Sequence, residues 1–373
     1  TESLKGALSG GLLATGNHPG RARNGDELRA DADFALSLAG GKHRFNIHAK
    51  YAETNGKTVE RNELKLEHFG RWIDWAKSKK LALDFNPTFF SHPKAASGFT
   101  LSSADEGIRN FWIEHALASR KIASGMGKVQ KTAAVNNIWI PDGYKDEPAD
   151  RKAPRERLKK SLDKIFALKL PASSILDAVE GKLFGLGSES YVTGSYDFYL
   201  SYAAKKGLMI TLDTGHFHPT EAVADKLSAI LSNLDRLLLH VSRGVRWDSD
   251  HVVVLNDELK SLASEIVRGD YLDRVYLALD YFDASINRVA AWVTGLRATR
   301  KALLFALLEP AAKLRAYEQD GNFTGRLALS EEIKTLPLGL VWEEFCQRNE
   351  VPAERDWLKE VERYEKQVLS LRQ

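Results

Sequence analysis

Cysteine is all but missing: Cys346 stands alone among 373 residues. One thiol cannot close an internal disulfide, and a thiolate zinc site needs several sulfurs. The chain therefore reads as one for a reducing compartment, by default the cytoplasm. A charge bias is missing too. Fifty-three Lys and Arg against 50 Asp and Glu leave +3, too little to announce nucleic acid or an anionic membrane as partner. No apolar run of about 18 residues is available to span a bilayer. Asn17, Pro19, Arg21 and Arg23 interrupt the first thirty residues, so no secretory signal is visible. Internal repeats and low-complexity segments are also lacking. The chain begins with Thr1 rather than Met, which is what a processed or partial product would show.

What is present is a rhythm. Seven short apolar runs rich in Ile, Leu and Val lie near residues 45, 82, 138, 177, 210, 239 and 278. They have the length and composition of buried parallel strands. Most are separated by a helical stretch. Helices are expected over 64–79, over 103–124 with Ser102 or Ser103 as N-cap, and over 150–169 after Pro154. Further helices are expected over 196–206, 221–231 and 257–268. This is the alternation of an α/β protein, a (β/α)8 barrel with one strand unaccounted for. From residue 290 the pattern changes to amphipathic helix after helix. Two parts follow: a barrel over 1–289 and a helical extension over 290–373 that packs along the barrel or against another subunit.

In such a barrel the active site lies at the C-terminal ends of the strands. Four consecutive strand-like runs end in ligand-type residues: Glu180, Asp213, His240 and Asp280. Their separations of 33, 27 and 40 residues are each close to one βα unit. An oxygen-rich cage for a divalent cation is expected there. His216, which follows Asp213 across Gly215, and the two-apart pair Asp248 and Asp250 provide donors for a second cation, with Glu180 as the bridge. Carboxylate and imidazole without thiolate suit manganese, magnesium, cobalt or zinc. A lone strand-end Asp is often only an Asx-turn or helix cap, and Asp257 and Asp283 are read that way.

Lys182 is placed to offer positive charge to a developing oxyanion, and His92, in the Ser-His-Pro loop, to act as a mobile acid or base. Trp139, Phe89 and Phe90 offer an apolar wall for a sugar ring or methyl group. His48, His218 and His251 read as hydrogen-bonded pocket or core histidines, with His48 carried forward as a substrate contact. The basic series Arg151, Lys152, Arg155, Arg157, Lys159 and Lys160 lacks interleaved aromatics and reads as a solvated helix face.

Five stretches carry a resemblance: DFNPTFFSHPKAASGFTLSSAD, NNIWIPDGYKD, LDTGHFHPTE, LLLHVSRGVRWDSDHVV and LALDYFDASINRVAAW. Together they resemble the bacterial L-rhamnose isomerases. The likeness runs from about residue 10 to the C-terminus. The family carries further residues upstream, the first barrel strand among them.

The resemblance implies a barrel of the xylose-isomerase-like type, rhamnose catabolism, a preference for manganese and a homotetramer. It implies Glu180, Asp213, His240 and Asp280 as a structural metal site, and His216, Asp248 and Asp250, with Glu180 nearby, as a catalytic one. Lys182 would lie beside the substrate oxygens and His92 in a pocket loop. The reaction interconverts L-rhamnose and L-rhamnulose by a hydride shift between C1 and C2. A metal-bound water held by Asp248 or Asp250 is the expected base. Two rivals stand beside this reading: a metal-dependent phosphodiesterase on a similar barrel, and an incomplete, non-catalytic oligomerising subunit.

Overall fold

The computed structural model describes residues 18–182, 190–246 and 248–372. The chain begins with α1 (Gly25–Ser37) and β1 (Arg44–His48), then α2 (Gly70–Ser78), β2 (Ala82–Asn86), α3 (Glu106–Gln130) and β3 (Ala134–Ile138). The short strand β4 (Gly143–Tyr144), α4 (Lys152–Ala167) and β5 (Ile175–Glu180) follow, then the short β6 (Tyr191–Val192), α5 (Tyr196–Lys206) and β7 (Met209–Asp213). Next come α6 (Val223–Leu231), β8 (Leu237–Val241), α7 (Asp257–Arg268) and β9 (Val275–Leu279). Five helices complete the chain: α8 (Arg288–Leu308), α9 (Ala311–Gln319), α10 (Phe323–Glu332), α11 (Leu338–Arg348) and α12 (Asp356–Gln367).

The seven expected strands form one parallel sheet in the order β1-β2-β3-β5-β7-β8-β9, while β4 and β6 pair separately as a small antiparallel ribbon. The sheet is strongly curled. In a flat sheet β5 and β9 would stand about 14 Å apart, three strand spacings. Yet ligand atoms of Glu180 on β5 and of Asp280 just after β9 lie within 4.8 Å of each other. The α/β barrel-type fold is thus as expected. Every residue of β3, β7 and β8 is buried, whereas the five of β9 are all half-buried. Among the described residues no strand joins β9 to β1.

Local differences from the sequence expectation have local causes. The helix expected over 103–124 begins at Glu106, with the Asp105 carboxylate accepting from the Ile108 amide at 2.9 Å. Ser102 lies three residues before this cap, held in the preceding loop where its amide and hydroxyl both donate to Asp142. This helix also runs on to Gln130, ending at Lys131 in the left-handed region at φ 57°. It can do so because Gly127 allows β5 close approach: a Cβ there would fall 1.8 Å from the Ser174 carbonyl oxygen. The helix expected over 64–79 is a short 3-10 turn, Leu66–Phe69, running into α2, and a separate 3-10 turn, Arg61–Glu63, precedes it.

The largest core fills the space between sheet and outer helices and includes Trp112, Tyr199, Leu212, Leu239 and, from α8, Ala298, Ala302 and Ala306. α8 packs on α7 and α1 and so serves as a wall of the barrel. The helices beyond it are different. α10 buries no residue, and Phe323, Leu327 and Leu340 are each at least 60% exposed.

Candidate metal centre

Because the seven strands are parallel, all their C-terminal ends meet at one rim. β5 ends on Glu180, β7 on Asp213, β8 carries His240 one residue before its end, and Asp280 follows β9. The pairing register sets Asp213 directly beside His240. Nδ1 of His240 lies 3.2 Å from Glu180 Oε1, 3.1 Å from Asp280 Oδ2 and 3.9 Å from Asp213 Oδ2. The four residues offer donor atoms all within 4.8 Å of one another. Asp213, His216 and Asp248 form a second set on the same terms.

His216 is oriented for a ligand's work. Its Nδ1 lies 2.7 Å from the Gly181 carbonyl, which fixes the Nδ1–H tautomer. That leaves Nε2 as the nitrogen turned toward Asp248, 3.1 Å from its Oδ2. Gly215 gives the loop room: a Cβ there would sit 2.7 Å from Asp248 Oδ1 and 2.8 Å from Ser242 Oγ.

Neighbours hold the carboxylates in place. Asn137 Nδ2 donates to Glu180 Oε2 at 2.5 Å, and the Asn137 carbonyl in turn accepts from Thr211 Oγ1 at 2.8 Å. Ser242 Oγ and the Gly215 amide both donate to Asp213 Oδ1, at 2.9 and 2.7 Å. Asn137, Thr211 and Ser242 escaped the sequence reading. The available signal was their position, polar residues at or beside strand ends otherwise built from apolar ones.

The electrostatics favour a cation. Five carboxylates, Glu180, Asp213, Asp248, Asp250 and Asp280, share this rim with two imidazoles. Burial pushes Asp213 up to about 7, with the charges of Glu180 and Asp248 adding to the rise against the pull of His216. Burial, then Asp248, Asp213 and Asp280, push Asp250 up to about 9. Burial alone would lower both imidazoles. It is outweighed by Asp213 and Asp248 at His216, and by Glu180 and Asp280 at His240, so both rise well above the usual histidine range. Burial also works against the Asp280 charge, but His240 holds that carboxyl well below the carboxylate range. Asp248 Oδ1 is buried with no hydrogen-bond partner among the described residues. A crowded set of acidic oxygens, one of them orphaned, fits hard divalent cations with no further rearrangement of ligand type.

A family model described as L-rhamnose isomerase matches residues 1–372. The chain belongs to the L-rhamnose isomerase family. It is 61% identical over 371 residues to the L-rhamnose isomerase of Rhodopirellula baltica, covering all of this chain and 87% of that protein. It is 56% identical over the same length to the L-rhamnose isomerase of an Enterobacter species, covering 88% of that protein. Among solved structures, an L-ribulose 3-epimerase superposes with a TM-score of 0.52 at 13% identity, covering 79% of this chain and 93% of its own. That likeness concerns the fold alone.

In this member of the L-rhamnose isomerase family, several of the expected site residues are tied to other neighbours. His92, expected as a mobile acid or base, caps the 3-10 turn Pro93–Ala95. Its Nδ1 accepts from the Lys94 amide at 3.1 Å, its Nε2 lies 3.4 Å from Glu60, and its ring stacks on Phe111 of α3 at 5.0 Å. Phe89 is fully buried against Trp112 and His115 and forms core, so Phe90 is the residue that faces Trp139, at 5.7 Å between ring centres. Asp213 is common to both donor sets, and Glu180, the expected bridge, has Oε1 3.8 Å from His216 Nδ1. Asp250 adopts φ 46° and acts on both sets through its charge without joining either.

The remaining expected residues have the following surroundings. His48 ends β1, with Nδ1 3.1 Å from Thr88 Oγ1 and its ring 6.3 Å from Phe90. Lys182 Nζ donates to the Pro141 carbonyl at 2.5 Å and lies 5.3 Å from the Trp139 ring centre. His218 and His251 bond hydroxyls of Thr220 and Ser249, and Asp283 closes an Asx-turn on Ser285. Asp257 is not the cap it was expected to be: Asn256 caps α7, its side chain accepting from the Leu259 amide at 3.0 Å, and Asp257 stands in the first turn.

Proposed function

We propose that the chain interconverts L-rhamnose and L-rhamnulose, an aldose–ketose isomerisation, using two divalent cations, in the cell manganese. The observation that carries this reading is the meeting of Glu180, Asp213, His240 and Asp280 within 4.8 Å, joined to full-length likeness to L-rhamnose isomerases. Glu180, Asp213, His240 and Asp280 would hold one cation; Asp213, His216 and Asp248, with Asp250 alongside, would hold the other. When bound, the cations polarise the sugar carbonyl and lower the pKa of the neighbouring hydroxyl.

The protein's own groups do the rest. Asp248 and Asp250 take the hydroxyl proton from one sugar oxygen and return one to the other, while hydrogen passes as hydride between C1 and C2. Lys182, anchored by the Pro141 carbonyl, meets the oxyanion character that develops. Trp139, Phe90 and His48 line the sugar and limit water, and Phe89 supports them from behind. His92 acts only through its loop.

The helices beyond α8 serve subunit packing, and the exposed Phe323, Leu327 and Leu340 supply an apolar face for a homotetramer. Sedimentation of the purified chain tests this. A cytoplasmic site agrees with the single Cys346; no helix among the described residues is long and apolar enough to cross a membrane. No observation favours a phosphodiesterase.

The functional test is L-rhamnose conversion after chelation and again after manganese, zinc, cobalt or magnesium is restored. Recovery with manganese supports the proposal. A folded protein that binds these metals but never converts the sugar refutes it and leaves the non-catalytic reading.

A further inference from the structure

The turn after β2 is held in a conformation its own residues resist. Thr88 and Ser91 both lie in the left-handed region, at φ 59° and 54°. For a β-branched residue that backbone is a true outlier. Something outside the turn must hold it, and Arg61 does so from the 3-10 turn that follows β1. Its guanidinium donates to the Thr88 carbonyl at 2.6 Å, the Phe90 carbonyl at 3.3 Å and the Ser91 carbonyl at 3.2 Å. Burial pushes it down to about 10. Its hydrogen-bonding capacity goes to backbone instead of to a carboxylate. His115 of α3 ties the two turns together: Nδ1 lies 2.8 Å from the Arg61 carbonyl and Nε2 2.5 Å from the Pro87 carbonyl.

The held turn carries two groups of the pocket. Thr88 sets its hydroxyl 3.1 Å from His48 Nδ1, and Phe90 sets its ring against His48 and Trp139. We propose that Arg61 is a positioning residue for sugar binding: its planar fork fastens the strained Thr88–Ser91 turn, so that Thr88 orients His48 and Phe90 completes the wall with Trp139. Arg61 itself touches no reacting atom. Only the kinetic part of this proposal rests on the isomerase reading; the conformational part stands on the turn alone.

The test uses full-length Arg61→Met, Arg61→Lys and the double variant Arg61→Met, Ser91→Gly. Amide hydrogen exchange is read segment by segment in the manganese-loaded protein, and kinetics on L-rhamnose are read beside it. Arg61→Met should speed exchange at residues 87–92 while leaving β5, β7 and β8 protected. It should raise KM about tenfold with kcat changed less than about threefold, the sign of lost binding geometry. Lysine keeps the charge without the fork and should behave like methionine. Glycine at 91 adopts the left-handed backbone without a Cβ penalty and should restore part of the affinity. If Arg61→Met does not fold, Arg61→Lys carries the same readouts.

Wild-type exchange rates at 87–92 in the variant would overturn the proposal. So would exchange raised equally across the barrel, or a fall in kcat with KM unchanged. A wild-type chain without turnover would count against the isomerase reading alone, since the exchange data still decide the role of Arg61.

Discussion

Replacing Asn137 tests whether the polar residues behind the carboxylates tune the metal centre. The side chain donates to Glu180 Oε2 at 2.5 Å and is itself oriented by Thr211 at 2.8 Å. Asn137 and Thr211 are almost fully buried, so no solvent replaces what is removed. A hydrogen bond to a charged acceptor is worth ~1.5–3 kcal/mol net. If most of that is lost only when Glu180 must hold a cation, Asn137→Ala weakens cation binding about 10- to 100-fold. Thr211→Val leaves the amide in place but unoriented. Its smaller cost, ~1 kcal/mol, corresponds to roughly fivefold. The assay is manganese affinity by competition with a chelator, followed by turnover against free manganese. Saturating metal should return kcat close to wild type in both variants, because neither residue touches the sugar. An Asn137→Ala protein with unchanged manganese affinity, or one whose activity no metal concentration restores, refutes the reasoning.

Three further outcomes are expected. Asp248→Asn should abolish metal-stimulated turnover while circular dichroism stays native; full activity would remove Asp248 from the centre. Phe89→Ala should cost about 3–5 kcal/mol of stability in a denaturant titration, as an emptied core site does, with KM little changed. Phe90→Ala should do the opposite, and a reversed pattern would show that the two rings have been assigned to the wrong faces. Burial and the Arg300 guanidinium hold His43 down at about 4 against an ordinary 6.5, with Nδ1 3.4 Å from Arg300 Nη2. The unfolded chain therefore takes up a proton on this ring first as pH falls, so its contribution is complete above about 6.5 and drains away toward about 4. Between pH 7 and 4.5 wild type should lose ~2 kcal/mol more than His43→Gln, after allowance for partial exposure. Urea titrations at the two pH values measure it, and equal losses would remove His43 as the cause.

The sequence alone determined that seven parallel strands would alternate with helices and that Glu180, Asp213, His240 and Asp280 would converge. The reason is directional. Parallel strands all point one way, so a reactive residue at the end of each run must arrive at a common rim, and spacing by one βα unit is visible in a string of letters. The same logic found Asp248, His216 and Lys182, which follow strand ends closely. It also made family membership legible, because the loops that carry these residues are long and contiguous.

Tertiary structure decided everything that depends on which way a neighbour turns. Phe89 and Phe90 are adjacent letters, yet one packs on Trp112 and His115 and the other faces His48 and Trp139, in a turn whose Thr88 carbonyl accepts from Arg61, 27 residues before Thr88. His92 is held by the Lys94 amide and the Phe111 ring. Asp142, 40 residues later, fastens Ser102 in the loop before α3, and Asp105 takes the cap. Asp213 belongs to both donor sets because His216 follows it by one turn, its amide donating to the Asp213 carbonyl, and Asp248 follows the adjacent strand β8. A chain's order records what can reach a rim. Competition among partners brought close only by folding chooses which atom meets which.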